Sequence, residues 1–239
     1  MSGALDGRTA VVSGASRGIG AAIARTLAGA GARVALLGRS KGSLQGRAAE
    51  LGAEAVTIVC DVAEERDVAR AATEIEERFG GPPAILVNNA GRFVLAPAHE
   101  LSPDDFRSSI DVNLVAPFVL VRAFLAAMRA RGTGHIVSIG SIADHSAFPE
   151  NAAYAASKFG LRGLHEVLRA ELRGTGVHAT LVSPGPTDTP LWDPIDPDTR
   201  PGFTPRASML RPEAIAEAVL FAVTREPAVN IDEIRLSAG

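Results

Sequence analysis

The sequence predicts an α/β fold, doubly wound, with one seven-stranded, mostly parallel sheet flanked by helices on both faces. Three observations predict it. Short apolar runs alternate with longer helical patterns along all 239 residues, as repeated strand–helix–strand units require. The middle runs are almost continuously apolar, which suits parallel strands covered on both faces. Hydrophobic residues make up 46% of the chain, enough to close one sizeable core.

The elements follow in order. Thr9-Ala10-Val11-Val12 opens the sheet (9–13) and runs into a glycine-rich turn that launches a helix at 18–30. Val34-Ala35-Leu36-Leu37 makes the second strand (33–37), followed by a helix at 41–51. Val56-Thr57-Ile58-Val59-Cys60 carries the β-branched residues of a third strand (55–60), before a helix at 64–79. Ile85-Leu86-Val87-Asn88 forms the fourth (84–88). Ser102-Pro103-Asp104-Asp105 then starts a helix spanning 103–131, with proline at its first position and acids in its first turn. Ile136-Val137-Ser138-Ile139 is the fifth strand (135–139), followed by a helix at 152–173. The sixth strand (178–183) ends in a Pro-rich segment, 184–212, that interrupts the alternation. A long irregular insert inside a compact domain is usually a functional lid or a mobile loop. A helix at 212–224 and a last strand at 230–236 complete the sheet. No stretch reads as a linker, so residues 1–239 are expected to form a single domain, with 184–212 as a lid within it.

Bulk properties narrow the function. The net charge is -3 and no basic stripe runs along the chain, which argues against nucleic-acid binding. Cys60 is the only cysteine, so no disulfide framework exists, as suits a reducing cytoplasm. The start, Met1-Ser2-Gly3-Ala4-Leu5-Asp6-Gly7, lacks a signal layout. No apolar run is expected to approach the ~20 residues of a membrane helix. No metal site is expected.

Gly14, Gly18 and Gly20 lie between the first strand and the first helix. Without side chains they let the backbone of Ser16, Arg17 and Ile19 approach a pyrophosphate, while the helix amino terminus supplies free N–H groups. The alternative is a helix start with packing glycines; the strand-before, helix-after context favours the cofactor cradle. An acid about 20 residues after the turn would hold a ribose 2′-hydroxyl and select NAD. The second strand instead ends Leu36-Leu37-Gly38-Arg39-Ser40. Arg39, with Arg17 in the turn and the Ser40 hydroxyl, suits a 2′-phosphate, so NADP(H) is the expected cofactor. Asp61, beside Val62 after the third strand, reads either as an acceptor for an adenine amino group or as a cap for the helix from Glu64. Asn88-Asn89-Ala90-Gly91 stands where the carboxyl edge of the sheet meets such a cofactor.

Tyr154 and Lys158 are spaced i, i+4 and share a helix face. A phenol has a pKa near 10, and a neighbouring ammonium favours the phenolate. Ser141 follows the fifth strand at its carboxyl end, where α/β sites form. Its hydroxyl suits donation to a carbonyl oxygen.

With the glycine turn, Asn88-Asn89-Ala90-Gly91, Asn113, Ser141, Tyr154, Lys158 and Pro184-Gly185 followed by Thr189, the chain resembles the short-chain dehydrogenase/reductase family, over nearly its whole length and in the family's order. The resemblance implies a Rossmann domain. It implies Tyr154 as general acid in reduction and base in oxidation, and Lys158 as the group that lowers its pKa and holds the nicotinamide ribose. Ser141 would polarise the carbonyl, and Asn113 would hold a water relaying protons to Lys158. Pro184, Gly185, Thr187 and Thr189 would border the nicotinamide carboxamide. The carboxyl end, Val229-Asn230-Ile231-Asp232-Glu233-Ile234-Arg235-Leu236, resembles NADP-dependent 3-hydroxy acid dehydrogenases and carbonyl reductases more than acyl-carrier-protein 3-oxoacyl reductases. The resemblance also implies a homo-oligomer, tetramer or dimer, formed through the two long helices and the last strand.

Phe93, Ile142, Asp144, His145, Phe148, Pro149, Trp192 and Phe203 are candidates to line a substrate pocket. Phe93, Phe148 and Trp192 are favoured. Trp192 either closes an apolar lid or packs the insert onto the domain. Asp144 and Arg206 are candidates to read a charged substrate end, and His145 a second acid. The expected activity is NADP(H)-linked interconversion of a ketone or aldehyde and its alcohol on a small molecule. Within the family, a 3-oxoacyl-carrier-protein reductase or 3-hydroxy acid dehydrogenase is the alternative. A catalytically silent NADP(H)-binding regulator and a nucleotide-sugar epimerase are rivals of other kinds.

Overall fold

The computed structural model describes residues 3–239; Met1 and Ser2 of the start read above lie outside the described residues. Seven strands make one sheet: β1 (Thr9–Ser13), β2 (Arg33–Gly38), β3 (Ala55–Val59), β4 (Ile85–Asn88), β5 (Gly134–Ile139), β6 (Val177–Pro184) and β7 (Glu233–Leu236). The order is β3-β2-β1-β4-β5-β6-β7, and all six pairings are parallel. Helices α1 (Gly18–Gly29), α2 (Lys41–Leu51), α3 (Glu65–Phe79), α4 (Pro103–Ile110), α5 (Ala116–Arg131), α6 (Ala152–Glu171) and α7 (Pro212–Val223) connect them.

The two faces of the sheet bury separate cores, because successive strand residues point to opposite sides. Val11 and Leu37 face Val68, Ile75, Leu120, Phe124 and Leu168 of α3, α5 and α6. Val12 and Leu36 face Ile23, Leu27, Leu44, Ile215 and Val219 of α1, α2 and α7. Cys60 belongs to the first core, and burial pushes its thiol up to about 11, so it is unreactive packing.

The direction in which strands are added to the sheet reverses at β1: β2 lies on one side and β4 on the other. That arrangement opens a crevice at the carboxyl ends of the strands, where open α/β sheets take their ligands.

Three local departures matter. The expected helix at 103–131 is interrupted by a wider π turn, Asp111–Val115, between α4 and α5. Pro117 explains it: proline has no N–H for the Asn113 carbonyl four residues earlier, so the ladder widens. The stretch Pro103–Arg131 is long and apolar enough to cross a membrane by length and composition, contrary to expectation. Here its α5 portion packs Leu120, Phe124 and Met128 into the first core. Finally, β7 starts at Glu233 rather than at residue 230. Asn230 is held instead by its side chain, which donates to the Ala179 carbonyl at 3.1 Å.

Candidate active site

The turn between β1 and α1 is locked by its neighbours. The Ser13 hydroxyl accepts from the Asn89 and Ala90 amides at 3.0 and 3.1 Å, and the Asn89 side chain donates to the Ser13 carbonyl at 2.9 Å. Within the Asn88–Gly91 motif, the Asn89 side chain is therefore what ties the turn to β4. Gly14 (φ 66°) and Gly18 (φ 57°) adopt the left-handed region that suits glycine. A Cβ at Gly20 would fall 2.3 Å from the Gly14 carbonyl oxygen, so this close approach admits no side chain. The helix start has no side-chain cap and no acid in its first turn, leaving its N–H groups to an outside anion. Asn88, 3% exposed at the end of β4, keeps both side-chain polar atoms without a partner among the described residues. Such groups cost about 1–3 kcal/mol when unsatisfied. A cradle closed to side chains fits a dinucleotide phosphate, and the orphaned Asn88 atoms at the end of β4 fit a further polar part of the same cofactor.

Ser16 and Ile19 sit half-buried in the turn, and the Ser16 carbonyl accepts from Arg47 at 3.3 Å. Arg47 is a second residue the sequence reading passed over; only the fold brings α2 to the turn. Arg17 and Arg39 are exposed, and neither forms a side-chain hydrogen bond or ion pair among the described residues. Ser40 is the N-cap of α2, accepting from the Ser43 amide at 3.4 Å. Asp61 accepts from the Ala63 amide at 3.1 Å rather than capping α3, whose N-cap is Glu64. Val62 is buried in the first core. Gly91 is exposed, and a Cβ there would stand 3.6 Å from the Asn113 Oδ1.

Tyr154 and Lys158 share a face of α6, with the Lys158 ammonium 5.5 Å from the phenol ring centre. The ammonium is buried and donates to the Ile139 carbonyl at 2.8 Å. Burial pushes the Tyr154 phenol up to about 12, with Asp144 adding to the rise and Ser141 opposing it. Burial pulls Lys158 down to about 8. The expected fall of the phenol beside its ammonium is therefore outweighed by desolvation, which favours the neutral form of both groups. The Ser141 hydroxyl accepts from the Ala143 amide at 3.1 Å, so its hydrogen remains free to donate.

Asn113 is 1% exposed in the π turn. Its Oδ1 accepts from the Arg92 amide at 2.7 Å, and its amide nitrogen donates to the Arg92 carbonyl at 2.8 Å and to Ser157 Oγ at 2.9 Å. Both amide hydrogens are thus committed to holding the loop after β4 against α6.

Three expected roles are corrected. Asp144 is fully buried and accepts from the Ser141 amide at 3.2 Å, from Ser183 Oγ at 2.6 Å and from His145. It holds the Ser141 loop in place and cannot reach a substrate end. His145 also meets Arg235 and Glu233 of β7, so it is not a free acid. Arg206 is spent within the insert, on Asp188 at 2.9 Å and Asp193 at 2.6 Å.

Pro184 ends β6, and Gly185 donates to the Leu236 carbonyl at 2.8 Å. Thr187 is buried and donates to the Gly185 carbonyl at 3.0 Å. Thr189 meets Gly18 directly: a Cβ on that glycine would lie 3.2 Å from Thr189. The insert therefore lies across the glycine turn. From there rings lead inward: Trp192 stands 5.1 Å from Phe93, and Phe93 packs edge-on 4.7 Å from Tyr154. Phe203 adds a third contact to Trp192 at 6.3 Å. Phe148, Ile142 and Pro149 are exposed, and Phe148 makes no ring contact among the described residues.

The family model for short chain dehydrogenases matches residues 8–200. An uncharacterized oxidoreductase of Staphylococcus aureus (strain MRSA252) is 35% identical over 96% of both chains. D-threitol dehydrogenase of Mycolicibacterium smegmatis is 39% identical, over 91% of this chain and 86% of its own length. The crystal structure of a metagenomic short-chain oxidoreductase in complex with NADP superimposes with a TM-score of 0.84 at 37% identity, covering 98% of this chain and 99% of the other. The chain belongs to the short-chain dehydrogenase/reductase family and is an oxidoreductase of that family with its Rossmann-like α/β fold.

Proposed function

We propose that the protein is an NADP(H)-dependent oxidoreductase that interconverts a ketone or aldehyde and the corresponding secondary or primary alcohol. The observation that carries this is the meeting of Tyr154, Lys158 and Ser141 at the sheet's carboxyl edge, beside a cradle closed to side chains. Gly14, Gly18 and Gly20, with the backbone of Ser16, Arg17 and Ile19, hold the pyrophosphate. The two unpaired cations Arg17 and Arg39 favour a 2′-phosphate, with Ser40 beside them, and Asp61 and Val62 flank the adenine. Asn88, Ala90, Gly91, Pro184, Gly185, Thr187 and Thr189 border the nicotinamide half. NADP(H), when bound, supplies or accepts the hydride.

Tyr154 keeps its proton at neutral pH, because burial holds the phenol at about 12. In reduction it delivers that proton to the carbonyl oxygen and becomes the phenolate; in oxidation the phenolate takes one from the alcohol. Ser141 donates its free hydrogen to the same oxygen and orients it. The Lys158 ammonium, held on the Ile139 carbonyl, supports the charge that develops on the phenol. Asn113 keeps the loop after β4 against α6, and only its oxygens remain for a relaying water. Residues 1–239 act as one catalytic unit, with 184–212 as its lid. The small-molecule substrate enters under Phe93 and Trp192, with Phe148 at the rim.

A homo-oligomer, tetramer or dimer, is supported by Phe106, Phe118, Phe159 and Val167, exposed apolar residues on α4, α5 and α6. A cytoplasmic setting is supported by the single, buried cysteine. The deciding experiment is Tyr154→Phe. NADPH affinity should stay nearly intact while turnover falls by about 10²–10⁴-fold, the usual worth of general acid catalysis. Undiminished turnover would sink the mechanism.

A further inference from the structure

The substrate side of the cleft is specific in two respects. Its wall is a chain of rings that begins at the reacting group: Tyr154 to Phe93 at 4.7 Å, then Phe93 to Trp192 at 5.1 Å. The one polar atom of Trp192 is satisfied away from that chain, its Nε1 donating to the Thr187 carbonyl at 3.1 Å. What Trp192 offers the cleft is therefore its apolar surface.

Each neighbouring arginine is already paired, and the one buried ammonium, Lys158, is engaged by the Ile139 carbonyl beside the phenol. Arg92 pairs with Asp105 at 2.5 Å, Arg200 with Glu150 at 2.8 Å, and Arg206 with Asp188 and Asp193. The Ser141 loop also carries a buried carboxylate, Asp144, held by Ser141 and Ser183. A substrate carboxylate seated among these rings would lose its water and meet only arginines that are already paired. That uncompensated loss costs free energy.

We propose that the substrate is an uncharged carbonyl compound bearing a flat apolar or aromatic group, seated against Phe93 and Trp192, and that carboxylate-bearing 3-oxo acids are rejected. This rests on the oxidoreductase reading above and names the substrate class of the same site. Trp192 and Phe93 are then the specificity-determining residues, and the paired arginines are scaffold.

The test uses the intact protein with NADPH and four 3-oxo compounds: methyl or phenyl at the ketone, ethyl ester or free acid at the other end. The kcat/KM should favour the phenyl ester over the methyl ester by about tenfold or more, the scale of discrimination apolar pockets reach. Each ester should exceed its acid by at least about tenfold, since the acid must desolvate a charge. In Phe93→Ala the phenyl-to-methyl ratio should collapse toward one.

Quenching of Trp192, the only tryptophan, gives a binding readout that does not depend on turnover. Saturable quenching by the phenyl ester and not by its acid, without turnover of any compound, would uphold the ligand class and overturn the oxidoreductase reading. Acids turned over or bound as well as esters would overturn the inference and leave that reading standing. A phenyl-to-methyl ratio at or below one, or no binding of any of the four compounds, would also overturn it.

Discussion

The glycine turn between β1 and α1 and the insert at 184–212 face each other across the same cleft, and they are held by different forces. The turn is held through main-chain groups: Ser13 and Asn89 bond backbone atoms, and Gly20 sits too close to Gly14 to carry a side chain. The insert is anchored in the main chain only at its base, where the Gly185 amide meets the Leu236 carbonyl; its outer part is held by side chains, Arg206 on Asp188 and Asp193 within it, and Arg200 on Glu150 and Trp192 on Phe93 outward. A main-chain lock yields only by distorting the fold. Ion pairs at a partly exposed surface are worth about 0.2–1 kcal/mol each, so a segment held by them can open without unfolding the rest. Under the proposed function, the difference would separate a rigid cofactor wall from a substrate wall able to admit and release ligand.

Breaking the rigid wall should have the largest effect. Gly20→Val forces atoms into the Gly14 carbonyl, and overpacking of about 1–3 kcal/mol should weaken NADPH binding by roughly 10–100-fold in a calorimetric titration. Unaltered affinity would show that this turn does not hold the cofactor.

The charge on that wall is tested next. Replacing Arg17 and Arg39 together by alanine removes two cations suited to a 2′-phosphate. Charged hydrogen bonds are worth about 1.5–3 kcal/mol, so the preference for NADPH over NADH should fall by at least about tenfold. A preference that survives would place 2′-phosphate recognition elsewhere, with Arg47 the next residue to replace.

The seam between the walls carries the pH dependence. Lys158 has its pKa lowered to about 8, so it is charged below that pH and loses its charge as pH rises through it. Tyr154 stays protonated until about 12. Carbonyl reduction should therefore decline above pH 8 with the limb set by Lys158, approaching tenfold per pH unit. A flat profile to pH 10 would remove Lys158 from the mechanism.

The smallest effect is expected at the movable wall. Arg206→Met breaks two of the insert's three ion pairs, and KM should rise by a few-fold with kcat nearly unchanged. Limited proteolysis within 184–212 should quicken. A large fall in kcat instead would mean that the insert places catalytic groups.

Much of this was readable in the sequence, and the reason is locality. Strand and helix alternation, the glycine turn and the Tyr154–Lys158 spacing are all relations between residues close in the chain. Periodicity and one helix turn express them directly. Pro117 inside an otherwise continuous helical pattern was the available signal for the π turn that carries Asn113.

Other features depended on which loops meet. Asp144 and Arg206 looked like free charges in the sequence. Asp144 is bound to Ser183, 39 positions away, and Arg206 to Asp188 and Asp193, 18 and 13 positions away. The phenol is the clearest case. Its neighbour Lys158 predicts a lowered pKa, yet burial pushes it up to about 12. The sequence by itself determined which chemical groups are present and which share an element. Tertiary structure alone decided which charges are paired and which are stripped of water, because ion pairing and desolvation depend on contacts between distant segments.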